Sequence, residues 1–200
     1  MDYTTLALVQ AQMGSDGINY TGANPLLSQN ITTASNIIDV ITSGGHIDAV
    51  GYLVLETKTE TLHNGIVNNV GSLVVYPHKP LIASVASLQW RISPRDPWNI
   101  ADMTMVDVDD KSVKLWESGA NQGRATVQIT YSGGLSSSQS GMPAGIVQVA
   151  NELAVRMYKE AKSGLTDVVG VADTGILFYQ KAIPLTTQAK LNPYLRVVPW

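Results

Sequence analysis

The sequence predicts an α+β protein: a small bundle of about four helices carrying an inserted antiparallel β-sandwich or barrel-like block. Three observations lead there. Apolar residues recur at spacings of three and four near both ends of the chain. Between them, residues 47–132 change to short β-branched runs, with turn residues every 8–12 positions or so. The chain also has 44% hydrophobic residues over its 200 positions, so it can bury a core without staples.

The first helix is expected over residues 3–13, with Asp2 as its cap, Leu6, Val9 and Met13 on one face, and Gly14 closing it. Residues 15–22 form turns. Asn24-Pro25 then supplies a cap followed by proline in the first helical turn. Leu27, Ile31, Ala34, Ile38 and Ile41 follow as one apolar stripe, and Ser43-Gly44-Gly45 ends the helix. Strands are expected at 52–59, 72–76, 84–92, 104–108, 112–116 and 125–131, with Asp109-Asp110-Lys111 as a hairpin turn. Pro77 and Pro80 bracket a strand break, since proline cannot donate to a central ladder. Residues 132–141 read as a flexible linker. A long helix over 143–163 has Ile146, Val149, Ala150, Leu153, Met157 and Ala161 on its apolar face. Residues 165–182 form a loop or hairpin, and a last short helix opens at Pro184 and ends at Asn192 before Pro193. The domain organisation that follows is 1–46 (N-terminal helices), 47–132 (β-block), 133–194 (C-terminal helices, one domain with 1–46) and 195–200 (an extended apolar tail).

Composition excludes several function classes. There is no cysteine, so disulfides, thiolate zinc, a Cys nucleophile and iron–sulfur clusters are out. The net charge of −3 argues against general nucleic-acid binding. Only 14% of residues are charged, against about 25% on average. A surface so poor in charge is weakly protected against self-association and suits a subunit buried in an assembly. The charge is also uneven. Residues 1–57 hold five acids and no Lys or Arg, whereas residues 151–200 hold six basic and four acidic groups. The start has no basic n-region, and no apolar run approaches the ~20 residues that span a bilayer. The expectation is a protein made in a cytoplasm, without a membrane partner.

Sites of chemistry are sparse. His46, His63 and His78 are isolated from one another and lie beside expected turns, where a solvated side chain is the usual outcome. Asp107 and Asp109 are two apart and so share a strand face. Such a pair can hold a divalent ion, which keeps a metal-dependent nuclease as an alternative beside a plain acidic hairpin tip. Trp90 and Trp116 fall in expected strands, where core packing is the commoner role, and Trp98 follows a Pro-flanked loop. Trp200 ends the chain after Val-Val-Pro. An apolar terminus of this kind suits anchoring in a partner's pocket, the competing role being a tail folded back on its own core. No cofactor motif is present, and the protein is expected not to be an enzyme.

The order of segments carries a resemblance. L-V-V-Y-P-H-K-P-L-I-A-S-V-A-S-L (73–88) leads into T-V-Q-I-T-Y-S-G-G-L (126–135). The helix M-P-A-G-I-V-Q-V-A-N-E-L-A-V-R-M-Y-K-E-A (142–161) and the closing I-P-L-T-T-Q-A-K-L-N-P-Y-L-R (183–196) follow. This resembles the head–tail adaptor (head-completion, or connector) proteins of long-tailed bacteriophages. The resemblance implies a structural role in the neck of a virion assembled in the host cytoplasm. A ring of about twelve copies would sit under the portal protein, extend the DNA channel, and offer a docking face to the stopper or tail-completion protein. Double-stranded DNA would pass without specific binding, and the acidic residues 1–57 would suit a channel flank. By the same resemblance the portal-binding segment is the tail Leu195, Arg196, Val197, Val198, Pro199 and Trp200. A stopper or tail-completion protein of the same particle is the nearer alternative, and the Asp107/Asp109 nuclease the more distant one.

Overall fold

The computed structural model describes residues 1–15, 24–44, 50–116, 118–119, 122–163, 168–171, 176–179 and 184–196. The chain is mixed α+β and divides into two compact units: Met1–Gly51 with Ser138–Leu195, and Tyr52–Ser137 with Arg196–Trp200.

The first unit holds four helices: α1 (Leu6–Ser15), α2 (Pro25–Thr42), α3 (Ala144–Ser163) and α4 (Leu185–Leu191). The cap of α1 is Thr5 rather than Asp2, because the Thr5 hydroxyl accepts from Leu8 N–H at 3.1 Å. Asn24 caps α2 as expected, accepting from Leu26 N–H at 3.0 Å and Leu27 N–H at 3.3 Å. Leu27, Ile31, Ala34 and Ile38 are buried along α2, while Ile146, Val149, Ala150, Leu153, Ala154 and Tyr158 are buried along α3. Helix α3 packs against each of α1, α2 and α4. Its stripe leaves Met157 for Tyr158 toward the C-terminal end, as a 3.6-residue period drifts against strict 3–4 steps. Asp39 is buried but satisfied, accepting from the Tyr3 hydroxyl and, at 2.7 Å, from Gly51 N–H. A 3-10 turn, Asn192–Tyr194, extends α4. The expected hairpin at 165–182 is present as β8 (Val168–Val171) paired antiparallel with β9 (Ile176–Tyr179).

In the second unit seven strands form one antiparallel sheet: β1 (Glu56–Val67), β2 (Leu73–Val75), β3 (Ile82–Arg91), β4 (Asn99–Ile100), β5 (Val106–Val108), β6 (Val113–Leu115) and β7 (Gly123–Gly133). The order is β4-β3-β7-β1-β2-β6-β5. Of the sandwich and barrel-like alternatives, the β-unit takes a single sheet. It curls, so that the turn after β5 comes back to β3: Ile82 N–H donates to Asp110 O at 3.1 Å. Leu62, Leu73, Val75, Leu88, Trp90, Val113, Leu115, Val127, Ile129 and Tyr131 fill the concave side.

Strand β1 runs eight residues past its expected end. The extension is held by the ladder with β7 as far as Val67 opposite Gly123, and on the outer face Thr57 meets Ser132 and Thr59 meets Thr130, both at 2.8 Å. The expected flexible linker is also pinned. Leu55 N–H donates to Ser136 O at 2.9 Å and Leu135 N–H to Leu53 O at 2.8 Å. The Cβ-free Gly134 lets this happen: its φ is +123°, and a Cβ there would lie 2.3 Å from Val54 O.

Candidate functional site

Of the six tail residues, Leu195 and Arg196 lie within the described part; Val197, Val198, Pro199 and Trp200 lie outside it. Leu195 closes the last 3-10 turn, its N–H donating to Asn192 O at 3.3 Å. Arg196 belongs to the β-unit. Its charge is felt at Tyr52, whose hydroxyl is pushed up to about 12 by burial and eased down by the Arg196 guanidinium.

A denser constellation lies inside the β-unit, at the loop between β2 and β3. Its sequence, Pro77-His78-Lys79-Pro80, falls in the quoted resemblance. Strand alternation sends Thr57, Thr59 and Thr61 outward, which turns Lys58 and Glu60 toward the loop. One Glu60 oxygen accepts from the Tyr131 hydroxyl at 2.5 Å and from His78 N–H at 3.0 Å. The other meets His78 Nδ1 at 2.5 Å. Tyr131 in turn accepts from Lys79 N–H at 3.0 Å. The Lys79 ammonium, almost wholly buried, reaches Val54 O at 2.9 Å and Glu56 at 2.8 Å. Burial pushes the Glu60 carboxyl up. The bonds from His78 and Tyr131 and the neighbouring His78 charge outweigh it, and its pKa falls to about 2. Burial and the Glu60 bond push the Tyr131 hydroxyl above its ordinary range.

His78 is therefore a clamped, half-buried partner of Glu60 rather than a solvated turn residue. The signal for it in the sequence is an inward-facing Glu in an alternating strand, which needs a partner once buried. His63 is exposed, 3.3 Å from the Thr126 hydroxyl. His46 lies outside the described residues. The loop leaves Pro80 through Leu81 at φ +49°, a left-handed conformation costly for a branched residue. This constellation is a structural lock: each polar group meets a partner within it.

The acidic hairpin offers little chemistry. Asp107 accepts from the Trp116 indole N–H at 2.6 Å, and Asp109 accepts from Asp110 N–H at 2.8 Å. Among the described residues, no group of three or more His, Asp or Glu is placed to hold a metal. Trp90 is buried as expected, but Trp116 is 42% exposed. It faces outward because its neighbour Leu115 takes the inward position on β6. Lys114 lies over the Trp116 ring, and Arg91 lies 4.4 Å from the Trp98 ring centre. Two indoles of the β-unit, Trp98 and Trp116, are thus each covered by a cation.

No protein-family model matches the sequence, and no curated protein matches it. Solved structures do. A chain from the neck of an empty GTA particle, computed with C6 symmetry, superposes with a TM-score of 0.54 at 15% identity, over 97% of this chain and 90% of that one. The likeness is one of fold. A chain from the neck of a native GTA particle, computed with C12 symmetry, gives 0.46 at 16% identity over 100% and 96%. One from the virion of a native gene transfer agent particle gives 0.43 at 14% over 91% and 96%.

Proposed function

We propose that the protein is a structural adaptor in the neck of a phage-like particle, one subunit of a ring that docks under the portal. The observation that supports it most is the fold likeness to a particle-neck chain, which extends across 97% of this sequence. Both units take part at that coverage, the β-unit as well as the helical one. The motif resemblance to head–tail adaptors is independent of that superposition, because it rests on residues. The low charge content suits a subunit with two different lateral faces to bury in a ring. On this reading the ring holds about twelve copies, extends the channel for double-stranded DNA, and presents a face to a stopper or tail-completion protein. Residues 195–200 engage the portal, Trp200 serving as the aromatic anchor. No catalytic step is assigned.

Native mass spectrometry of the chain with its cognate portal tests this. The expected result is one chain per portal subunit. Removing residues 195–200 should leave a folded protein that no longer joins the portal. A chain that ignores the portal would overturn the adaptor role, and portal binding that survives the truncation would overturn the role given to the tail.

A further inference from the structure

A segment of the β-unit, residues 99–110, carries exposed apolar side chains. Residues 99–110 run antiparallel along β3. Ile100 pairs with Gln89 and Asn99 with Trp90. Ala101 N–H donates to Leu88 O at 2.9 Å, and Ile82 N–H to Asp110 O at the far end. Between these ties the chain turns through the 3-10 segment Met103–Met105. Ile100 (80% exposed), Met103, Met105 and Trp116 stand in water along this seam. Met105 and Trp116 adjoin, Trp116 N–H donating to Met105 O at 2.9 Å, and the β5–β6 register puts Asp107 opposite Lys114. Met and Trp are residue types enriched at interface cores, and three of them are exposed along this segment and its neighbour.

The two ends of the stripe carry opposite charge. At one end are Arg91, the exposed Arg95, and the exposed Arg124, two residues from the Thr126 that pairs with Arg91; Asp96 is the acid among them. At the other are Asp107, Asp109 and Asp110, all exposed, with Lys111 beside them. Lys111 and Lys114 offset two of the three acids at that end, and the exposed Asp102 lies between Ile100 and Met103. The two ends still differ in sign, three arginines against one acid facing three acids against two lysines.

We propose that this stripe receives a second copy of the chain, seam against seam across a two-fold axis. A two-fold reverses one stripe over the other. It sets apolar middle on apolar middle and each arginine end on an aspartate end, the condition for a self-complementary, isologous contact. Laid in the same direction, two such stripes would oppose like charges. The contact concerns the chain outside a particle. It goes beyond the neck reading and does not rest on it.

Sedimentation equilibrium of the full-length chain tests the proposal. The expected species is a closed dimer of twice the chain mass. Asp109→Lys/Asp110→Lys and, separately, Arg95→Asp/Arg124→Asp should each weaken it by about tenfold or more. Mixing the two variants should restore a dimer, because one is then basic at both ends and the other acidic at both. Met105→Asp should dissociate it through the apolar middle, and circular dichroism checks that every variant is folded. A monomer at about 100 µM, a dimer indifferent to both charge reversals, or an open series of larger oligomers would overturn the proposal.

Discussion

Glu60 is the residue on which the Pro77–Leu81 loop depends. Its carboxylate accepts from the Tyr131 hydroxyl, the His78 ring and His78 N–H, and its side chain is only 8% exposed. Its folded pKa of about 2 lies below the ordinary 4.5. A depressed carboxylate pKa contributes stability that is fully present above the unfolded value and is lost as pH falls through the folded one. Urea melts should therefore show a midpoint that drops as pH falls from about 5 toward about 2. Glu60→Gln keeps one acceptor but removes the charge, so it should cost about 2 kcal/mol at pH 7. It should also flatten the dependence over that acid window. An unchanged acid slope in Glu60→Gln would assign the sensitivity to other carboxylates. This lock was only half legible. The Thr-Lys-Thr-Glu-Thr alternation of 57–61 shows which residues turn inward. That His78 would meet Glu60 depends on the β2–β3 loop folding back over β1, which no local pattern encodes.

The elements were legible where one face is apolar and the spacing regular. Helix α2 is the clearest case: Asn24-Pro25 starts it, and its 4-3-4-3 stripe is buried as far as Ile38. Legibility failed where a long-range contact overrode local polarity. Strand β1 continues to Val67 because its ladder with β7 does, Thr61 opposite Gln128, Leu62 opposite Val127 and Val67 opposite Gly123. The Ser- and Gly-rich segment after Gly133 has the composition of a linker, yet it is bonded to residues 53–55. Gly134 makes this measurable. Alanine there would place a Cβ 2.3 Å from Val54 O at φ +123°, so Gly134→Ala should lose about 2 kcal/mol or more. Gly145, in the first turn of α3, has nothing within 4 Å of its Cβ position. Gly145→Ala should be neutral or gain roughly 0.5 kcal/mol. Equal effects at the two glycines in thermal melts would contradict a pinned segment.

In the order of the sequence the β-unit is inserted into the helical unit. Val54 and Ser136 form a parallel bridge, so the chain passes into the β-unit and out of it side by side. The β-unit closes its own core, with Leu62, Val75, Leu88, Val127, Ile129 and Tyr131 packed together and buried. The sequence foretold an inserted β-block from the change of period after residue 46. It left a sandwich and a barrel-like sheet both open, since the two share the same alternation and differ only in which edges meet. The decisive contact, Ile82 with Asp110, joins residues that sequence alone gives no reason to pair. An excised 52–137 fragment should therefore unfold in a single cooperative transition and keep a near-ultraviolet dichroism signal from Trp90. Residues 1–51 joined to 138–195 by a short Gly-Ser linker should keep their helical signal, because the bridged ends need little chain to close. A fragment 52–137 without a cooperative transition would mean that the β-unit borrows its stability, and the inserted arrangement would then be a description of contacts rather than of folding units.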